Sequence, residues 1–273
     1  MSSSLDPTKA IEESEATGEV ADLFAEIREV MGIPLVTSIW RCLAGVPDAL
    51  PTTWAAVRSL MASGELAALE CELRSTVALP IPDPLTANDL ISAGATAADR
   101  KTVLKVVDAY NRSNCRNLIA ITALLRNPIS DRPVIPVSAE PPNWSPFPRL
   151  TPPADISPDQ WTLLRATTTI GAAKTNSHIP TLWRHLLDWP GILTTAVARY
   201  DTPTMHQSLV SAVEDLTQWV ESNAPRLSHL IDQSPQIPAP AREMLTNYIG
   251  PQPSVARMCT VGCSAAQWLR ASA

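Results

Sequence analysis

The sequence predicts an all-α protein, and three observations carry that reading. Its 273 residues hold nine glycines and few runs of β-branched residues, while Ala, Leu, Glu and Arg dominate the segments between prolines. Apolar residues recur at spacings of three and four, as in Val20, Leu23, Phe24, Ile27 and Val30. One helical stretch also comes back: Trp40-Arg41-Cys42-Leu43-Ala44-Gly45-Val46-Pro47 is answered by Trp183-Arg184-His185-Leu186-Leu187-Asp188-Trp189-Pro190, 143 residues on. That offset is far beyond a solenoid period of roughly 20 to 50 residues. It reads as one duplication, two pseudo-repeats of six to seven helices with a cleft between them.

Taken in order, residues 1–16 form a flexible, polar tail, and the first pseudo-repeat spans 17–127. Its first helix runs from Gly18 to Met31, ended by Gly32 and kept from resuming by Pro34. A buried helix follows over Leu35 to Val46, then helices over Asp48 to Ala62 and Glu65 to Leu79. After the prolines at 80, 82 and 84, Thr86 with Asp89 and Thr96 with Asp99 have the spacing of a capping side chain answered by an acid, so each opens a helix. A further apolar helix spans Asn114 to Arg126 and closes the repeat.

Residues 128–157 form a proline-rich linker, with ten prolines from Asn127 to Pro158 inclusive, pinned by Trp144 and Phe147. The second pseudo-repeat, 158–273, opens on Ser157-Pro158-Asp159-Gln160, a capping box with proline in the first helical position. Its helices are expected over Gln160 to Ile170, Pro180 to Trp189, Gly191 to Tyr200, Pro203 to Asn223, Pro225 to Gln233, Pro240 to Ile249 and Pro253 to Arg270. A second anchor agrees with the duplication. Tyr110 precedes Asn114 by four residues and Tyr248 precedes Gln252 by four, each before a long apolar helix ending in Leu-Arg.

Composition narrows the function. A net charge of −6, with no run of Lys or Arg, argues against nucleic acid or an anionic membrane surface as partner. No apolar run reaches the ~18 residues of a membrane span, and the polar, acidic start is not a signal peptide. Five scattered cysteines suit reduced thiols in a cytoplasm, and Cys259 with Cys263 reads as a pair of core residues on one helix face. No cofactor or metal is expected. The partner is a small-molecule substrate or ligand, and a homodimer is compatible with the composition.

The candidate site residues are polar groups in apolar surroundings. His178 stands just before the repeated helix, where an imidazole can serve as general base. It and His185 are too far apart along a helix, about 10 Å, to share a metal. Arg41 and Arg184 lie within apolar helices, where a guanidinium needs either a structural acid such as Asp188, Glu26 or Glu70 or a substrate carboxylate. Asn111, Asn114 and Asn117 recur every three residues around a helix start; one suits a cap, and the others can hold a water or a polar substrate group.

These residues resemble the group I 2-haloacid dehalogenases, which act on D- and L-2-haloalkanoic acids and are unrelated to the Rossmann-like haloacid dehalogenases. The likeness covers most of the chain. It is carried by Ala16-Thr17-Gly18-Glu19, Pro34, the helix from Arg41 to Pro47, Ala109-Tyr110-Asn111 with Asn114, the Leu118 to Leu124 helix, and Trp189-Pro190. The resemblance implies an all-α fold of two pseudo-repeats joined by a long linker, with a buried site between them. It also implies a direct displacement, in which an aspartate activates water that attacks C2 and expels halide with inversion.

That aspartate belongs eight residues before Pro190, where this chain has Leu182, with Thr181 beside it. Asn114 matches the family's water-holding asparagine, but Asn117 stands where a tyrosine is expected, and Leu35 and Ser38 where the pocket is lined by aromatic residues. A leucine cannot activate water, so the displacement needs another base, His178 or Asp188. The expectation is therefore a small-molecule enzyme on a 2-haloacid-dehalogenase-like scaffold, binding an apolar or carboxylate-bearing substrate. His178 and Asn114 are its catalytic candidates. Leu35, Ser38, Arg41, Asn111, Asn117, Thr181, Leu182 and Arg184 are its binding candidates. The alternatives are an elimination, isomerisation or cyclisation, or a binding protein without catalysis.

Overall fold

The computed structural model describes residues 10–126, 142–172, 179–250 and 255–271. Among them the regular structure is helical throughout, in twelve α-helices and short 3₁₀ turns, as the sequence predicts. No helix among the described residues is long and apolar enough to cross a membrane.

The chain divides into two compact units, each assembled from three stretches: 1–76, 112–143 and 216–256 in the first, 77–111, 144–215 and 257–273 in the second. Each unit therefore takes segments from both sides of the proline-rich stretch.

The first unit holds α1 (Gly18–Met31), α2 (Ser38–Ala44), α3 (Ala49–Met61), α4 (Gly64–Thr76), the C-terminal half of α6 (Ala97–Leu125) and α11 (Ala239–Ile249). α1 has the predicted boundaries because Gly32 takes a left-handed conformation, φ 60°, and its N–H closes onto the last carbonyls. α3 is the centre of the unit, packed by α1, α2, α4, α11 and the 3₁₀ turn Ala224–Leu230. Trp40 of α2 and Trp54 of α3 meet edge to face at 5.5 Å, and Ile27, Leu43, Leu50 and Leu60 of the same unit are fully buried.

The second unit holds α5 (Ala87–Ser92), the N-terminal half of α6, α7 (Pro158–Ala166), α8 (Thr181–His185), α9 (Pro190–Tyr200), most of α10 (Pro203–Asn223) and nearly all of α12 (Val255–Arg270). α5 and α7 open on the predicted capping boxes, and Thr96 and Asp99 exchange the same bonds at the start of α6. Tyr200 and Trp268 pack edge to face at 6.3 Å. α9 lies so close to the end of α5 that a Cβ at Gly191 would stand 2.0 Å from the Ala93 carbonyl, so only glycine fits there. Phe147 packs edge-on to His185 at 5.1 Å, which fixes this part of the proline-rich segment.

Four expectations are corrected. α6 runs unbroken through Asn111, Asn114 and Asn117, so none of the three caps a helix. Distant partners satisfy two of their amides, which removes the local competition that usually makes asparagine a helix breaker. Leu35 to Thr37 lies outside α2, with Thr37 extended, and a side chain, Glu13, takes the Val36 N–H at 2.7 Å. α8 stops at His185, four residues short of Trp189, since a residue before proline avoids the helical region and Pro190 opens α9. Lastly, residues 10–16 are no loose tail: the Ile11 N–H donates to the Arg41 carbonyl, Arg41 pairs with Glu12, and Arg28 pairs with Glu13.

Candidate functional site

Two buried polar clusters stand out, one in each unit. In the first, the chain before α2 meets α6. Asn117 donates from Nδ2 to Thr37 Oγ1 at 2.9 Å, and its Oδ1 accepts from the Trp40 indole at 3.1 Å. Thr37 and Ser113 hydroxyls share a further bond at 3.0 Å. Asn117 is 0% exposed, so these four residues form a closed network in which amide and indole are both satisfied. Asn114 is buried on the same helix, while Leu35 is buried and Ser38 half-buried beside Thr37 in the chain.

In the second unit the cluster centres on His185, 3% exposed at the end of α8. Its Nε2 lies 2.8 Å from the Pro148 carbonyl and its Nδ1 3.3 Å from Tyr110 Oη. A carbonyl can only accept, so Nε2 carries the proton, and in the neutral ring Nδ1 accepts from the tyrosine hydroxyl. Burial pushes the imidazole below its ordinary pKa. The Arg184 charge acts in the same direction, while Asp188 and the Pro148 carbonyl oppose it. A neutral ring bonded in this way can accept a proton only through the Tyr110 hydroxyl. One hydrogen bond thus joins Oη to Nδ1, an arrangement of the kind that can relay a proton.

The expected site residues fall into distinct settings. Asn117 joins the first cluster through Thr37, which lies beside Ser38 and two residues after Leu35 in the chain. Arg41 is buried but serves Glu12, at 2.5 Å, rather than any acid the sequence suggested. Asn111 donates to the Gly262 carbonyl at 2.9 Å, pressed against α12. Leu182 is 1% exposed, with Thr181 half-buried before it. Arg184 is half-buried and Asp188 exposed. His178 lies outside the described residues.

Sequence reasoning missed Thr37, Ser113, Tyr110 and His185 as site residues. Tyr110 and His185 each stood in a repeated anchor, but their pairing joins α6 to α8 across 75 positions, a distance no local pattern carries. Among the described residues, no group of three or more His, Cys, Asp or Glu comes together as metal ligands.

Neither protein-family models nor curated proteins match the sequence. The fold, in contrast, is similar to solved structures over nearly the whole chain. One is a D-2-haloacid dehalogenase mutant in complex with D-2-CPA, at 12% identity and a TM-score of 0.60, over 95% of this chain and 92% of that one. Another is a D-2-halacid dehalogenase mutant, at 13% identity and 0.65, with the same coverages. A third is a D-2-haloacid dehalogenase with L-LA, at 13% identity and 0.62, over 95% of each chain. At these identities what is shared is the all-α fold.

Proposed function

We propose that this protein is a small-molecule enzyme that uses a 2-haloacid-dehalogenase-like scaffold for acid–base chemistry rather than for aspartate-driven displacement of halide. The observation that carries this reading is the buried Tyr110–His185 pair, set one turn beyond Leu182 on the same side of α8. Where the resemblance calls for a carboxylate, the helix offers leucine, and three residues later an imidazole. Its substrate is apolar or carboxylate-bearing, and its reaction is an elimination, isomerisation or cyclisation in which a proton is taken from one atom and given to another. His178 remains a second proposed base, with Asn114 and Asn117 holding polar groups.

The test is solvent deuterium exchange at the α-carbon of a panel of small 2-substituted carboxylic acids and their esters. Exchange by the unmodified protein that is lost in Tyr110→Phe and His185→Gln supports the reading. Exchange that persists in both variants, or halide release by the unmodified protein, would sink it.

A binding protein without catalysis is the second reading, favoured by the closed network of Thr37, Ser113, Asn117 and Trp40. A ligand that raises the unfolding temperature and is never turned over supports it; turnover of any substrate removes it.

The internal duplication is also an inference. Gly32 caps α1 and Gly171 follows the 3₁₀ turn Thr167–Thr169 after α7, both in the left-handed region at φ 60° and 64°. Arg112 donates to the Met31 carbonyl near the end of α1, and Arg257 to the Thr168 carbonyl just after α7. Matching roles at matching places support a chain built twice.

A further inference from the structure

In the second unit, Arg257 of α12 holds a buried charge that no acid answers among the described residues. The residue is 5% exposed, and its hydrogen bond runs from Nη1 to the Thr168 carbonyl at 2.8 Å. Its stem is tightly placed. Gly171, left-handed at φ 64°, lies so close to α12 that a Cβ there would stand 3.6 Å from Arg257 Cγ and 3.0 Å from Val261 Cγ2. The same Cβ would stand 3.5 Å from Leu209 Cβ, so α10 packs at this place too.

The elements that meet here have no carboxylate to give. Residues 160–187 and 244–273 contain neither Asp nor Glu, and the first acid of α10 is Glu214, more than a turn past Leu209. Asp201, just before α10, is exposed and accepts from the Thr169 hydroxyl at 3.4 Å instead. Burial lowers the Arg257 pKa to about 10, with no acid among the described residues to offset the shift.

A guanidinium buried without a counter-charge is costly unless an anion completes it. With Nη1 engaged, the edge formed by Nε and Nη2 is left. Neither of these nitrogens has a hydrogen-bond partner among the described residues, and neither is sealed from solvent. That edge is the side-on fork that grips two oxygens of a carboxylate or phosphate through parallel hydrogen bonds. We infer that Arg257 is the binding group of a small-oxyanion site where the turn Thr167–Thr169, α10 and the first turn of α12 meet. The site uses neither Tyr110 nor His185 and stands or falls apart from them.

Equilibrium dialysis of the full chain against radiolabelled inorganic phosphate or radiolabelled acetate, at constant ionic strength, tests this, with thermal unfolding followed in parallel. Saturable uptake is expected in at least one arm, with a rise in unfolding temperature of about 2–4 °C at saturation. The tighter arm identifies the preferred oxyanion. Arg257→Gln, with folding verified by circular dichroism, is expected to bind that anion roughly tenfold or more weakly. Arg257→Lys keeps the charge and loses the fork, so a severalfold weakening is expected, and this variant carries the test where Arg257→Gln does not fold. Absence of saturable uptake of both anions, or undiminished affinity in either folded variant, would overturn the proposal.

Discussion

Tyr110 and His185 meet edge to face with ring centroids 5.8 Å apart, the tyrosine hydroxyl on Nδ1 and the Pro148 carbonyl on Nε2. Both ring nitrogens are engaged while the ring is neutral, and protonation would place a second N–H where a hydroxyl now donates. Because burial lowers the folded pKa, the unfolded chain binds this proton more readily than the folded one. The stability contributed by the neutral ring is fully present above the ordinary histidine value of 6.5 and is lost as the pH falls below it. The slope from this residue is at most about 1.4 kcal/mol per pH unit. His185→Gln is expected to flatten that acid limb and to lower stability at mildly alkaline pH by about 1–2 kcal/mol. Urea unfolding of both proteins across mildly acidic and alkaline buffers checks this.

Asn117 is the hub of the other cluster, so its loss strands two partners. Asn117→Ala leaves the Trp40 indole and the Thr37 hydroxyl short of a buried partner and is expected to cost about 2–4 kcal/mol. Thr37→Val, which keeps the Asn117–Trp40 bond, is expected to cost about 1 kcal/mol. Chemical denaturation of the two variants gives the ranking.

At the crossing of α6 and α12, a Cβ on Gly262 would lie 2.2 Å from Asn111 Oδ1, a buried oxygen with no hydrogen-bond partner. Gly262→Ala is expected to destabilise by about 1–3 kcal/mol through overpacking. Asn111→Ala in the same chain removes the clashing atom and is expected to recover most of that loss. A double-mutant cycle measures the coupling; additive effects would mean that α12 shifts instead.

Glu12 is the acid that Arg41 holds. Glu12→Gln leaves a guanidinium buried without its counter-charge, at an expected cost of about 1–3 kcal/mol, moderated because Glu12 is itself partly exposed. Earlier proteolytic release of the segment before α1, alongside a lower urea midpoint, is the expected pair of readouts.

Much of the fold was legible because its signals are local. Gly32 and the capping boxes at Thr86 and Ser157 each fix a helix end through bonds to residues a few positions away, and those ends fall where the sequence places them. The misread elements are those settled at long range. Asn111 and Asn117 look like helix breakers until Gly262 and Thr37 accept from their Nδ2 groups, and the segment of Glu12 and Glu13 looks loose until Arg41 and Arg28 claim it. The site was legible only in part for the same reason. Asn117 was named for its spacing, but its partners Thr37 and Trp40 lie about 80 positions away, and His185 was weighed only beside its neighbour in sequence, His178, never against Tyr110.

Halide release from both enantiomers of 2-chloropropionate, by the unmodified protein and by Leu182→Asp side by side, bears most directly on the claim that α8 has exchanged a carboxylate for an imidazole. With folding verified by circular dichroism, the expected pattern is none above background from the unmodified protein and measurable release from Leu182→Asp. Halide release above background by the unmodified protein would contradict the claim.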